Sequence, residues 1–417
     1  MEEHKIERAV LAGLAADCFK KEEQATEATL DELEALLETA GGVCVAKILQ
    51  NRHAPDPHSF VGEGKAQEIK ELAAKHGAEM VIFDNDLSPS QIRALEEITG
   101  TTVLDRSALI LDIFAQRART AEGRLQVELA QYKYLLPKLS GMGKSLSRLG
   151  GGIGTRGPGE TKLETDRRHI RARIDRLEEE LEQVRRLRAV ERRRRQKNEI
   201  PVVALVGYTN TGKSTLLNRL TGADIPANNR LFDTLDTTTR QLQVSDRLTV
   251  LLSDTVGFIA KLPHHLVDAF RATLEELSYA DLLIHVIDAA DPDREAHIEV
   301  VDKLIGQLAD PETPVIRCWN KADLVTPEAL PVGPNNVAIS AKTGQGIDAL
   351  FAVIERELCK GRRRAVFLLP YSLGGMVETL HDKARVYRVD YTADGIEIET
   401  EVDEVLFGRL AQYEIVR

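Results

Sequence analysis

The sequence predicts an α/β protein in four parts, and three observations carry that reading. Residues 1–116 alternate strand-like and helix-like segments, the pattern of a small layered sheet. Between Leu125 and Val184, two apolar stripes step by four and three residues, as paired helices require. At 207–214 a loop reading G-x-x-x-x-G-K-S directly follows the apolar run 200–206. Strand, glycine-rich loop and helix start in that order let backbone N–H groups cradle phosphates.

In the first part, 43–49, 79–83 and 102–104 read as strands, and 66–76, 91–98 and 108–116 as helices. Ser88 is placed to cap the second helix, with Pro89 at its first position. The second part, 117–199, holds Leu125, Leu129, Tyr132, Leu136 and Leu139 on one stripe. Ile170, Ile174, Leu177, Leu181 and Val184 form the other, so a helical hairpin is expected. Its middle, 141–159, carries too much glycine to hold a helix. The third part, 200–363, has strands expected at 202–206, 248–254, 282–288, 315–320 and 337–339. The fourth, 364–417, reads as a small α+β domain with strands at 366–369, 385–391 and 396–401.

With 417 residues, 43% of them apolar and 29% charged, the chain can bury several cores. Cys18, Cys44, Cys318 and Cys359 show no paired spacing, which argues against a disulfide framework or a zinc site. No apolar run approaches the roughly 20 residues that span a bilayer. Nor does the N-terminus show the basic and apolar regions of a signal peptide. A cytoplasmic location without a membrane segment is expected. The net charge of −11 is uneven: residues 116–199 hold 22 Lys and Arg against 12 Asp and Glu. One basic arm on an acidic body suits a single contact with nucleic acid.

The loop Gly207-Tyr208-Thr209-Asn210-Thr211-Gly212-Lys213-Ser214, with Thr215 behind it, is expected to hold nucleotide phosphates. Lys213 would reach the β- and γ-phosphates, and Ser214 would place its hydroxyl on Mg²⁺. Asp254-Thr255-Val256-Gly257 closes an apolar strand as D-x-x-G. Its Asp can hold a water on the metal, and its Gly N–H can meet the γ-phosphate. Asn320-Lys321-Ala322-Asp323 also ends a strand. An Asp carboxylate there accepts guanine N1 and N2 hydrogens that adenine does not offer, so GTP and GDP are the expected ligands. Ser340-Ala341-Lys342 forms the second wall of the base site, with the Ala341 N–H facing guanine O6. Lys213, Asp254 and Gly257 are the expected catalytic groups here.

Between the phosphate loop and D-x-x-G lies Phe232-Asp233-Thr234-Leu235-Asp236, followed by Thr237 and Thr238. A switch segment in this position supplies a threonine to Mg²⁺, and spacing leaves Thr234, Thr237 and Thr238 open. Residue 258 is Phe, where many GTPases carry a water-orienting Gln. A slow intrinsic rate that a partner stimulates is therefore expected. Asn210 stands where some GTPases bind a monovalent cation, which brings K⁺ in as a candidate cofactor.

On these motifs the chain resembles the HflX family of translational GTPases, from about residue 30 to about residue 364. Two further blocks carry the resemblance, Leu111-Asp112-Ile113-Phe114-Ala115-Gln116-Arg117-Ala118 and Gly151-Gly152-Ile153-Gly154-Thr155-Arg156-Gly157-Pro158-Gly159-Glu160. So does Pro57 with Gly62-Glu63-Gly64-Lys65. The resemblance selects Thr234 as the switch ligand of Mg²⁺ and adds it to the catalytic set. Thr237 departs from the family, which often has Pro there. By resemblance, the expected partner is the large ribosomal subunit and its ribosomal RNA, with the arm reaching towards the peptidyl-transferase centre. The implied activity rescues, recycles or splits stalled or idle ribosomes. The alternative is a ribosome-assembly GTPase acting on precursor large subunits. A monomer is expected, and the resemblance allows a second nucleotide at 62–65.

Overall fold

The computed structural model describes residues 7–20, 23–139, 162–196, 200–222, 231–232, 239–246, 248–255, 257–261, 275–360 and 362–415. The glycine-rich stretch 141–159, the switch residues 233–238 and Val256 lie outside them. Among the described residues two of the three sheets are mainly parallel.

The N-terminal sheet contains β1 (Arg8–Ala16), β2 (Val43–Arg52), β3 (Met80–Phe83) and β4 (Thr102–Asp105), all parallel in the order β2-β1-β3-β4. Helices α1 (Glu27–Ala40) and α4 (Arg106–Arg117) cover one face, and α2 (Glu63–His76) and α3 (Pro89–Thr99) the other. Alternate residues of β1 serve the two cores: Ala9 and Leu11 on the first, Val10, Ala12 and Leu14 on the second. Thr26 starts α1 through a capping box with Thr29, and Ser88 caps α3 with Gln91 as its spacing predicted. Strand order reverses between β1 and β3, so the carboxyl ends of these strands form the crevice where such sheets take ligands.

The arm is α5 (Ala121–Lys138) and α6 (Lys162–Gln196). They meet along Leu129, Ile174, Leu177 and Leu181, with Leu125, Tyr132, Leu136 and Ile170 at the margin. Glu128–Arg173 and Lys133–Glu178 ion pairs flank that seam. At its far end α5 is tied to the N-terminal sheet, where Tyr134 Oη and Lys138 Nζ donate to Asp105 at 2.6 and 2.7 Å.

The third part has a six-stranded sheet in the order β10-β9-β8-β5-β7-β6. Its strands are β5 (Val202–Val206), β6 (Thr239–Ser245), β7 (Leu248–Asp254), β8 (Leu282–Asp288), β9 (Val315–Asn320) and β10 (Asn336–Ala338). Among the described strands of this sheet only β6 pairs antiparallel, at the edge. Helices α7 (Lys213–Thr221), α8 (Arg294–Leu308) and α9 (Ile347–Leu358) accompany it. The chain ends in an antiparallel sheet, β11 (Arg362–Leu369), β12 (Arg385–Thr392) and β13 (Gly395–Asp403), under α10 (Gly374–Lys383) and α11 (Glu404–Leu410). Among the described residues no helix is long and apolar enough to cross a membrane.

The first core does not stop at residue 116. Leu33, Ile110 and Phe114 share one buried cluster with Val206, Tyr208, Leu231, Phe232, Phe258 and Ile259 of the third part. Phe114 meets Phe232 edge-on, with ring centroids 4.8 Å apart. The two parallel sheets are thus joined by a hydrophobic layer.

Candidate nucleotide site

The site grows from β5, which is buried between two parallel neighbours, β7 and β8. Its end releases the phosphate loop, and α7 begins at Lys213, so the N-terminus of that helix faces the loop. Gly212 has φ +93°, and a Cβ there would come within 2.3 Å of Asn320 Nδ2. Only glycine fits that close approach. Within the loop Thr211 Oγ1 donates to Tyr208 O at 3.0 Å. Lys213 Nζ, almost fully buried, donates to Gly207 O and Tyr208 O at 3.0 and 2.7 Å. Burial pulls its pKa down to about 8, with the Asp254 charge opposing.

Parallel pairing of β5 with β7 brings Asp254 alongside Leu205, and Ser214 Oγ donates to Asp254 Oδ2 at 3.2 Å. A hydroxyl beside a carboxylate is an all-oxygen donor set, which fits the hard cation Mg²⁺. Mg²⁺ held by Ser214, with Asp254 behind it, would neutralise charge on phosphate oxygens. Thr255 Oγ1 donates to Leu205 O at 2.7 Å and locks the strand end. Thr209 N donates to Phe258 O at 2.7 Å, and Phe258 N to Gly207 O at 3.1 Å. These two bonds place Gly257 close to Lys213, where a Cβ would lie 3.1 Å from its Nζ. The Phe258 ring is 2% exposed and turned into the shared core, so it cannot orient a water molecule.

The base end is assembled by Asn320. Its Nδ2 donates to Thr211 O at 2.8 Å, and its Oδ1 accepts from Ala341 N at 2.9 Å. The Ala341 N–H, expected to face guanine O6, therefore has a protein acceptor here. Lys321, in the left-handed region at φ 61°, pairs with Asp288, while Ala322 N donates to Ile339 O at 2.9 Å. Asp323 is exposed on the short turn that follows. Ser340 Oγ accepts from Thr343 N at 3.2 Å, which closes the loop carrying Lys342.

Some of the expected site residues fall elsewhere. Phe232 is packed in the core against Phe114 rather than on the phosphate loop. Asp233, Thr234, Leu235, Asp236 and Val256 lie outside the described residues. Arg219 was not singled out by motif, yet its Nε donates to Ala341 O at 3.1 Å and its Nη2 to Lys342 O. Spacing on α7 could have pointed to it, since the helix that starts at the phosphates ends beside the base loop.

Phosphate loop, hydroxyl–carboxylate pair, D-x-x-G segment and Asn320 base wall together define a phosphate-loop GTPase. Comparison with known proteins narrows the class. A model described as GTP-binding GTPase N-terminal matches residues 27–115, a GTP-binding GTPase middle region matches 117–195, and a 50S ribosome-binding GTPase matches 202–321. The GTPase HflX of Caldanaerobacter subterraneus subsp. tengcongensis is 48% identical over 408 residues, covering 98% of this chain and 94% of its own. The GTPase HflX of Escherichia coli (strain K12) is 44% identical over 392 residues, covering 92% of each. The solved complex of SsGBP with GDP is similar at TM-score 0.50 and 25% identity, covering 84% of this chain and 98% of that one. The chain belongs to the HflX family. It is a GTP hydrolase that binds GTP and GDP.

Proposed function

We propose that this GTPase acts in the cytoplasm as a monomer on the large ribosomal subunit, rescuing, recycling or splitting stalled or idle ribosomes. The observation that carries this reading is the union of two devices in one chain. A GTP site is packed against the N-terminal sheet, and that sheet also anchors a long helical arm through Asp105, Tyr134 and Lys138. The arm belongs to the segment with 22 basic against 12 acidic residues. Such an arm suits folded RNA, where shape and phosphate contacts dominate. Relatives named GTPase HflX and the 50S ribosome-binding description of the matched domain support the same partner.

In this reading the parts are 1–116, 117–199, 200–363 and 364–417. Lys213 and the loop N–H groups hold the phosphates, Gly257 reports the third one, and Ser214 with Thr234 would bind Mg²⁺. Asp323 chooses guanine, and Asn320 with the Ala341 N–H bonded to it forms the wall of the base site. With Phe258 buried, no side chain at that position orients water, so hydrolysis is slow until the subunit completes the site. Asn210, exposed on the loop at φ 62°, is the candidate K⁺ ligand.

The test is GTP turnover titrated separately with purified large and small subunits, in potassium and in sodium buffer. Stimulation by large subunits, greater in potassium, is the expected result. Equal rates with either subunit would remove the ribosomal reading, and equal rates in both salts would remove the K⁺ site. Sedimentation then separates roles: rescue by splitting requires GTP-dependent loss of intact ribosomes.

A further inference from the structure

The carboxyl end of the N-terminal sheet, where a doubly wound domain takes its ligand, is filled by the segment that follows D-x-x-G. Asp84, just past β3, and Arg106, at the start of α4, are fully buried there. Arg106 Nη1 donates to Asp84 Oδ1 at 2.8 Å, and its Nη2 pairs with Glu32 of α1. Nη2 also donates to Ala260 O at 3.1 Å, across 154 residues of chain. Lys261 Nζ pairs with the other oxygen of Asp84, which also accepts from Thr29 Oγ1 at 2.7 Å. Tyr208 of the phosphate loop closes the circuit. Its hydroxyl accepts from Ala260 N at 2.6 Å and donates to Glu32.

Ala260 is thus gripped at both its N–H and its carbonyl by side chains from outside its own segment. Lys261 sits at φ 54°, in the left-handed region a non-glycine residue holds only when its surroundings over-determine it. The Tyr208 ring is fixed independently by stacking on His297, with centroids 3.7 Å apart and planes at 14°. Burial pushes the Tyr208 hydroxyl well above its usual range, so it remains a donor at any physiological pH.

From this geometry we infer that Glu32, Arg106 and Asp84 of the N-terminal domain are positioning residues for the γ-phosphate. They act through Tyr208 and Lys261 to fix Gly257, three residues before the gripped Ala260. The inference rests on the GTP-site reading and deepens it, because it assigns discrimination between GTP and GDP to a second domain. GDP needs the phosphate loop, which is held by its own bonds from Thr211 and Lys213. GTP also needs the Gly257 N–H in place. Loosening the grip must therefore weaken the triphosphate selectively. By linkage, triphosphate binding tightens the contact between the two domains in return.

The test measures equilibrium affinity of the full chain for GDP and for guanosine 5′-[β,γ-imido]triphosphate, both with Mg²⁺. Glu32→Ala and Lys261→Met should each weaken the triphosphate analogue about tenfold and GDP less than about twofold, one charge-assisted hydrogen bond being worth about that factor. Lys261→Arg, which keeps the pair with Asp84, should restore the ratio. Lys261 lies at the rim of the cluster with 12% side-chain exposure, so its variants keep the test open where the Glu32 change prevents folding. Tyr208→Phe combined with Glu32→Ala should cost less triphosphate affinity than the sum of the two single losses, because Glu32 reaches Ala260 partly through Tyr208 and partly through Arg106. Equal weakening of both nucleotides, or of neither, would overturn the inference while leaving the GTP site standing. A wild-type chain that binds neither would instead sink the site reading itself.

Discussion

At the scale of single residues, Phe258 shows how one side chain can be read two ways. Its position marks it as the replacement of a water-orienting Gln, and one would expect Phe258→Gln to restore hydrolysis. The structure argues the reverse. The ring is 2% exposed among Tyr208, Phe232 and Ile259, and its backbone is paired to the phosphate loop in both directions. A Gln there would bury an amide among apolar side chains and remove aromatic packing. Phe258→Gln should lower stability by about 2–4 kcal/mol, and single-turnover hydrolysis without partner should not rise. Denaturant unfolding and a quench assay on the same preparation check both statements.

Residues of this site were legible in the sequence in proportion to their contiguity. Gly207 to Ser214 form one short run in the sequence and Asp254 with Gly257 another, so spacing alone pointed to them. Glu32, Asp84, Arg106 and Lys261 come from four distant segments, and nothing in any one of them announces an ion cluster. Asp84 and Asp86, either side of Asn85 directly after an apolar strand, were the one available hint.

Among elements, the apolar stripes of α5 and α6 were plain because a 3.6-residue period admits few other readings. The central strand β1 was missed for the opposite reason. It is buried on both faces and rich in Ala and Gly, so it shows no alternation. Edge strand β6 does alternate, with Leu242 and Val244 buried between exposed glutamines, but its many polar residues hid it beside the switch segment. A second layer contact belongs at this scale. His285 of β8 is 1% exposed, its Nδ1 3.3 Å from an Asp302 oxygen of α8, while Arg317 of β9 holds the other oxygen at 2.7 Å.

Burial lowers the His285 pKa, outweighing the Asp302 carboxylate that raises it. The His285 Nδ1 makes no hydrogen bond of good geometry, so burial keeps the imidazole neutral, while the neighbouring His285 and Arg317 hold the Asp302 pKa down. The sign follows from linkage. Above the ordinary histidine value of 6.5 the ring is neutral folded or unfolded, and its contribution is complete. As pH falls below 6.5 the unfolded chain takes up a proton that the folded chain resists, so stability is lost. His285→Gln, which keeps a polar group without titrating, should flatten the fall in denaturant midpoint between about pH 6.5 and 5. A slope unchanged in that window would place the acid sensitivity elsewhere.

Across the whole molecule, the ion cluster sits inside the hydrophobic layer that joins the two parallel sheets, and its charges balance. Glu32 and Asp84 face Arg106 and Lys261. Removing one partner of a buried pair leaves a charge without compensation, at a cost of about 3–5 kcal/mol, against a total stability of about 5–15 kcal/mol. Arg106→Met should therefore lower the unfolding temperature of the N-terminal sheet, so that it melts before the nucleotide-binding sheet. The cause would be the unmatched carboxylate rather than lost packing, since Met retains most of the apolar length. A second substitution distinguishes these. Arg106→Met with Glu32→Met leaves Asp84 paired with Lys261 and restores charge balance, so part of the lost stability should return although more of the native network is gone. Calorimetry of the single and double variants decides it: a double variant less stable than Arg106→Met alone would mean that hydrogen bonding to Tyr208, not charge, holds the two domains together.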